Sequence, residues 1–188
     1  MGEVIDIMLV SKDENLFDKV LNYVLLYSKE ESKQMTLEVM DNWEYENVKQ
    51  IETYEMLKTY IGNKIVSVTK KDTEAQVGII VEQKYDYLQY NLWMNFLYKI
   101  SYKEIVNEFL TDLYEANIID KIHIGAIGKE IMFNYDEEKK LTISNSHNVD
   151  VWIIEKKDIQ YVDTRRYMIK AQKSYEEMDK EIYIMSSL

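Results

Sequence analysis

Runs of apolar residues predict most of the strands in this chain. A nearly continuous apolar run over residues 3–10 is typical of a buried strand. Residues 64–71 and 75–82 are rich in strand-forming residues, and the short polar stretch between them predicts a hairpin. Farther along, four short apolar runs separated by polar turns predict a β-meander over residues 121–126, 130–135, 141–144 and 149–155.

Helical spacing of apolar residues predicts three helices in the body of the chain and a fourth in the tail, residues 164–188. The second of these helices is predicted to run from residue 41 to about residue 60. At the predicted start of each of the first three helices, a Ser or Asp is followed by a Glu three residues later. This pattern indicates a helix start, because both side chains can accept hydrogen bonds from the free backbone amides there. These start signals are Ser11 with Glu14, Asp41 with Glu44, and Ser101 with Glu104.

Residues 88–100 fit both a strand and a helix. Their apolar residues alternate with polar ones, which predicts a strand with one buried face. The same stretch also contains an apolar stripe at helical spacing. The alternation covers seven apolar positions from Leu88 to Ile100 and places polar residues opposite, so we favour the strand.

Helices and hairpin-connected strands both recur, which predicts the α+β class. We expect a mainly antiparallel β-sheet of hairpins and a meander, packed against about three helices, with a C-terminal helix. A length of 188 residues fits a single domain over residues 1–188, with residues 164–188 as a possible helical appendage.

Charge and composition narrow the classes of partner. The chain has 34 acidic against 23 basic residues and a formal charge of −11, which opposes direct binding to nucleic acid or anionic membranes and favours a basic protein partner. It has no cysteine, which excludes disulfides and thiolate metal sites and fits a reducing compartment. Without a leader-like start or an apolar run of spanning length, we expect a cytoplasmic protein. The sequence does not set the oligomeric state.

Common catalytic motifs are absent from the sequence. The only histidines, His123 and His147, lack metal-ligand spacing, and residues 125–129 lack the first glycine of a phosphate-binding loop. We therefore predict no catalytic residue, no metal and no cofactor, and favour a non-enzymatic role. The only two arginines, Arg165 and Arg166, are adjacent; arginine can bind a carboxylate bidentately, but we interpret the pair as making surface ion pairs.

An acidic-x-Lys pattern gives an enzymatic alternative, a metal-dependent nuclease or other phosphate-processing enzyme. Two carboxylates would hold Mg²⁺ while the lysine orients water. Charged residues make up 30% of the chain, so such patterns arise readily by chance. A further alternative is a structural protein that oligomerises through the predicted tail helix. The acidic-x-Lys candidates are Glu82 and Lys84 after Asp72, and Glu155 and Lys157 after Asp136 or Asp150.

Acidic residues interleave with aromatic residues in two segments, which we predict to bind the partner. Complementary charge speeds encounter, and desolvated aromatic side chains supply much of the affinity. This pattern favours a small acidic inhibitor, such as a toxin immunity protein or a phage anti-defence protein that occludes a basic enzyme surface. The predicted contact residues are Trp43, Glu44, Tyr45, Glu46, Glu52, Tyr54, Glu55, Tyr135, Asp136, Glu137 and Glu138.

Overall fold

A computed structural model of the chain describes residues 4–26, 35–71, 75–96, 101–115, 117–135, 137, 141–144, 146–162, 164–175 and 180–188. The chain forms two compact units. The first comprises residues 1–4 and 11–100, and the second comprises residues 5–10 and 101–188. The strands and α-helices are, in chain order, β1 (Val4–Ser11), α1 (Leu16–Leu26), β2 (Met35–Met40), β3 (Lys49–Gln50), α2 (Tyr54–Lys58), β4 (Ile65–Lys71), β5 (Ala75–Lys84), β6 (Tyr87–Phe96), α3 (Tyr102–Glu115), β7 (Ile122–Gly128), β8 (Met132–Tyr135), β9 (Leu141–Ser144), β10 (Val149–Glu155), β11 (Met168–Tyr175) and β12 (Lys180–Ser186).

The first unit is built on antiparallel strands in the order β6-β5-β4-β2-β3. Alternate residues of these strands are fully buried, among them Val68, Ile79 and Leu92. Helix α1 lies against β5 and buries Leu16 and Phe17. This burial of one apolar face from each element forms the core of the unit.

The second unit contains strands in the order β11-β12-β10-β7-β1, with the pairs from β11 to β7 antiparallel, and β8 pairs with β9 separately. Helix α3 begins as the sequence predicts. The amide of Glu104 donates to Ser101 Oγ (3.2 Å) and the amide of Ser101 donates to Glu104 Oε2 (3.1 Å), which completes the capping box. Gly128 is required where β7 meets β10, because a Cβ there would lie 2.3 Å from the carbonyl oxygen of Asn148.

Antiparallel strands with three α-helices among the described residues support a fold that is mainly β with helices, compatible with the α+β class. The predicted hairpin is confirmed as β4 and β5, and the last two meander strands have the predicted bounds. The ambiguous stretch is a strand over Tyr87–Phe96, while residues 97–100 lie outside the described part of the chain. Within the described residues, no helix combines the length and the apolar character needed to span a membrane.

The predicted C-terminal helix is wrong, because Met168–Tyr175 and Lys180–Ser186 are the paired strands β11 and β12. Strand β12 also pairs with β10, and its residues 182–186 are all buried. A strand covered on both faces is apolar at consecutive positions, and such a run also contains helical steps of three and four. The helical appendage and the proposed assembly through a tail helix lose their basis with this correction.

The predicted helix over residues 41–60 is also largely wrong, since only Tyr54–Lys58 is helical. The helix is capped by Thr53, whose Oγ1 accepts from the amide of Met56 (3.3 Å). Residues 41–48 form turns instead, because the side-chain oxygen of Asn42 accepts hydrogen bonds from the backbone amides of Glu44 and Glu46. The first predicted capping box is likewise altered: Ser11 Oγ accepts from the amide of Asp13 (3.0 Å), and α1 begins at Leu16.

Candidate functional site

The first predicted contact segment folds into a tied turn followed by the short helix α2. We call residues 41–56 the acidic-aromatic segment. Asn42 organises the turn, because its Oδ1 accepts from the amides of Glu44 (3.0 Å) and Glu46 (3.3 Å). Its Nδ2 donates to Glu46 Oε2 (2.7 Å), and the amide of Asp41 donates to the carbonyl of Glu46 (3.1 Å). The turn therefore has a defined shape before any partner arrives.

Asp41 fastens the base of this turn to the rest of the first unit. Its carboxylate accepts from Asn47 Nδ2 (2.6 Å) and forms an ion pair with Lys64. The hydrogen bonds from Lys64 and Asn47 hold the pKa of the Asp41 carboxyl below its ordinary value. Because both groups bind the ionised form, the turn keeps this anchor at neutral pH.

Tyr45 stands in a left-handed backbone conformation at the tip of the turn, with φ 60°. Asn47 is also left-handed, with φ 52°, but asparagine tolerates that region because its short side chain bonds locally. For other residues the left-handed conformation costs roughly 1–2 kcal/mol. The strained tyrosine is 61% exposed, so burial of its ring does not offset this cost. Strain of this kind is concentrated at functional sites.

Trp43 is held in place but remains available for contact. Its indole Nε1 donates to Glu82 Oε2 (2.8 Å) on β5, yet 42% of the residue is exposed. Glu82 is 5% exposed and is neutralised by Lys84, whose Nζ lies 2.9 Å from Glu82 Oε2. A ring fixed at one edge and open elsewhere loses little conformational freedom when a partner binds.

The remainder of the segment adds carboxylates and apolar surface. Glu52 and Glu55 are exposed, as are Glu44 and Glu46 in the turn. Tyr54 is half-buried, and burial raises the pKa of its hydroxyl, which has no hydrogen-bond partner among the described residues. The exposed apolar side chains of the segment are Trp43, Tyr45, Val48 and Met56.

The second predicted contact segment belongs to the second unit and is described only in part. Tyr135 is half-buried at the end of β8, and Glu137 is exposed. Asp136 and Glu138 lie outside the described residues. The structure therefore describes the whole surface of residues 41–56, but only Tyr135 and Glu137 of the second segment.

Neither acidic-x-Lys set forms a paired-carboxylate metal site in the described residues. Glu82 is engaged by Trp43 and Lys84, and Asp72 lies outside the described chain. Asp150 accepts from the hydroxyl of Tyr102 (2.6 Å). Asp136, the remaining carboxylate of the second set, also lies outside the described residues.

Glu155 contacts two lysines and a histidine in the second unit. Lys157 Nζ lies 2.5 Å from Glu155 Oε2, and Lys180 Nζ lies 3.3 Å from Glu155 Oε1. His123 Nδ1 lies 3.2 Å from the same Oε1. Burial alone would raise the pKa of Glu155, but the hydrogen bonds from Lys157 and His123 and the charge of Lys180 outweigh it and lower the pKa to about 2.

His123, Glu155 and Asp158 bring one potential ligand atom each within 4.8 Å of one another, a spacing that could hold a metal ion. However, Lys157 and Lys180 both form ion pairs with Glu155, the central carboxylate of this grouping. A cation would have to compete with ammonium groups for Glu155. The geometry fits an ion-pair network better than a divalent-cation site.

Comparison with known proteins assigns neither a family nor a function. No protein-family model matches the chain. No curated protein sequence and no solved structure is significantly similar to it. A functional conclusion has to come from the chemistry of the described residues.

Sequence analysis missed the polar residues that shape the candidate surface. Asn42 and Asn47 were a usable signal, because asparagine both bonds its neighbouring amides and tolerates left-handed backbone. The bond from Trp43 to Glu82 joins residues 39 positions apart, and no local pattern indicates it. Glu82 entered the sequence analysis as a metal ligand, whereas the structure shows it supporting an aromatic side chain.

Proposed function

We propose that this protein is a small acidic inhibitor that binds a basic protein partner through the acidic-aromatic segment. A toxin immunity protein and a phage anti-defence protein that occludes a basic enzyme surface are the two roles of this kind that fit best. The single observation that carries the proposal is the exposed, left-handed Tyr45, two residues from the pinned Trp43 in a segment whose glutamates are exposed.

In this proposal, the negative charge raises the rate of encounter and the aromatic side chains supply the affinity. The net charge of −11 attracts a cationic surface and raises the encounter rate, an effect that salt weakens. Trp43 and Tyr45 supply contact area of the residue types that dominate binding energy at interfaces. The tied turn limits the entropy lost on binding, because these side chains are already positioned.

A protein partner is favoured over nucleic acid on electrostatic grounds. Nucleic acids are polyanions, and binding them relies on basic residues that neutralise phosphates. The acidic-aromatic segment instead presents Glu44, Glu46, Glu52 and Glu55 on its surface. Basic enzymes that act on nucleic acid are a natural target, because an acidic surface can occupy the groove that binds phosphates. We place this encounter in the cytoplasm.

A charge-neutralised variant tests the proposal against a matched control. Glu44→Gln, Glu52→Gln and Glu55→Gln together remove three negative charges from the segment. The control removes the same charge from exposed positions of α3, through Glu108→Gln, Asp112→Asn and Glu115→Gln. The tagged wild type and both triple variants are each used to capture partners from cells that naturally make this protein. Captures are done at low and at high salt, and the captured proteins are quantified by mass spectrometry.

At low salt, we expect the wild type and the α3 control to capture similar amounts of basic protein. The segment variant should capture about tenfold less, because charge steering is worth at least that factor. High salt should reduce capture by the wild type as well. Equal losses for both triple variants would show that net charge alone matters and would reject the segment as the contact site. The segment would also be rejected as the contact site if the two variants capture the same proteins in the same amounts.

A further inference from the structure

A cavity of about 790 Å³ lies in the second unit, beside β10. Its volume falls within the range of small-molecule sites, roughly 300–1,000 Å³. Apolar side chains form much of the wall, including Ile124, Ile154 and Val162. The rest of the described wall is polar and includes titratable side chains, and sites for small organic ligands combine apolar contacts with such polar groups.

Trp152 contributes an unpaired donor to this wall. The residue is 5% exposed, and its indole Nε1 has no hydrogen-bond partner among the described residues. The indole N–H can only donate, so it needs an acceptor. Buried polar groups without a partner are uncommon in folded proteins and call for a specific explanation. A ligand atom that accepts a hydrogen bond inside the cavity would satisfy Trp152.

Arg166 contributes positive charge to the same wall. Its Nη2 donates to the carbonyl oxygen of His147 (2.8 Å), and its guanidinium carbon lies 5.8 Å from the centroid of the Tyr167 ring. These two contacts orient the guanidinium and leave donors unused, since arginine carries five N–H groups. Among the described residues, no carboxylate forms an ion pair with Arg166.

The charged residues of the cavity wall favour a carboxylate over a phosphate as the ligand. Among the described wall residues, which also include His123 and His147, Arg166 is the one permanent cation and Asp158 the one carboxylate. The single arginine can pair with one carboxylate, whereas Asp158 opposes the larger charge of a phosphate. Phosphate sites also rely on rows of backbone amides at glycine-rich turns or helix starts, and none of the described wall residues is a glycine. A carboxylate matches the fork of arginine bidentately.

We propose that this cavity binds a small organic monocarboxylate with an apolar body. The carboxylate pairs with Arg166, the apolar body contacts Ile124, Ile154 and Val162, and Trp152 donates to an acceptor on the ligand. This site is independent of the acidic-aromatic segment, which belongs to the first unit.

Titration calorimetry with 4-phenylbutyrate and its neutral counterpart 4-phenylbutanol tests the proposal. The two probes share an apolar body and differ in the charged group. We expect the carboxylate to bind about tenfold more tightly than the alcohol, because a charge-assisted hydrogen bond is worth about that factor. Arg166→Gln should remove this preference, and Arg166→Lys should restore part of it. Arg165→Gln is the matched control and should change affinity by less than about twofold.

Trp152→Phe provides a second, independent variant that keeps an aromatic ring and removes the unpaired N–H. We expect weaker binding of 4-phenylbutyrate, by about threefold to tenfold, without a loss of thermal stability in the ligand-free protein. Equal affinities for the acid and the alcohol would overturn the proposal. So would equal effects of Arg165→Gln and Arg166→Gln, or no binding of either probe at millimolar concentration.

Discussion

Replacing Tyr45 with glycine should weaken binding to the partner about thirtyfold, while the fold keeps or gains stability. The loss of binding follows because an exposed tyrosine at the tip of a tied turn is the type of side chain that carries binding energy. The stability follows because glycine adopts a left-handed backbone without steric cost, whereas tyrosine does not. We expect the free energy of unfolding to rise by up to about 1 kcal/mol.

Two measurements check this prediction: urea denaturation of the free protein, and titration of the captured partner. Tyr114→Ala is the matched control, because Tyr114 is also an exposed tyrosine but lies on α3 in the second unit. This control should bind the partner as the wild type does. A Tyr45→Gly protein that binds normally, or one that loses binding only because it is unfolded, would contradict the account.

Acid should destabilise the second unit through Glu155, by as much as about 3 kcal/mol. The folded pKa of Glu155 is about 2, below its ordinary value of 4.5. A carboxyl group with a depressed folded pKa contributes its full stability above the unfolded value and loses that contribution as pH falls. The loss should therefore develop from about pH 5 down to about pH 2.

Denaturation curves at several pH values check this effect when the wild type is compared with Glu155→Gln. The glutamine keeps the shape of the side chain but removes the titrating group, so we expect the variant to be less stable at neutral pH and to converge with the wild type in acid. Glu115→Gln, at an exposed position of α3, should run parallel to the wild type. Parallel curves for Glu155→Gln would show that the ion pairs with Lys157 and Lys180 contribute nothing to stability.

Much of the β structure could be predicted because its signals are local. The composition and spacing of residues 64–71 and 75–82 predict the hairpin of β4 and β5, and the alternation over residues 88–100 predicts the strand Tyr87–Phe96. The tail could not be predicted in the same way. Strand β12 pairs with its sequence neighbour β11 and also with β10, and the burial of every residue from 182 to 186 hides the period of two.

The candidate surface was predictable in composition but not in shape. Interleaved acidic and aromatic residues mark the stretch from Trp43 to Glu55 in the sequence, yet the position of Tyr45 depends on a turn built by Asn42. The cavity was harder to predict from the sequence, because its wall residues His123, Trp152 and Arg166 come from separate stretches of the chain. Arg166 was noticed as one of two arginines, but only the fold places it in a cavity wall.

Hydrogen–deuterium exchange of the free protein and of its complex with the captured partner tests the contact surface most directly. We predict that slowed exchange concentrates in residues 41–56, at the amides of the tied turn and of α2. Protection confined to the second unit, with unchanged exchange across these residues, would contradict the proposal that this segment is the surface through which the protein binds.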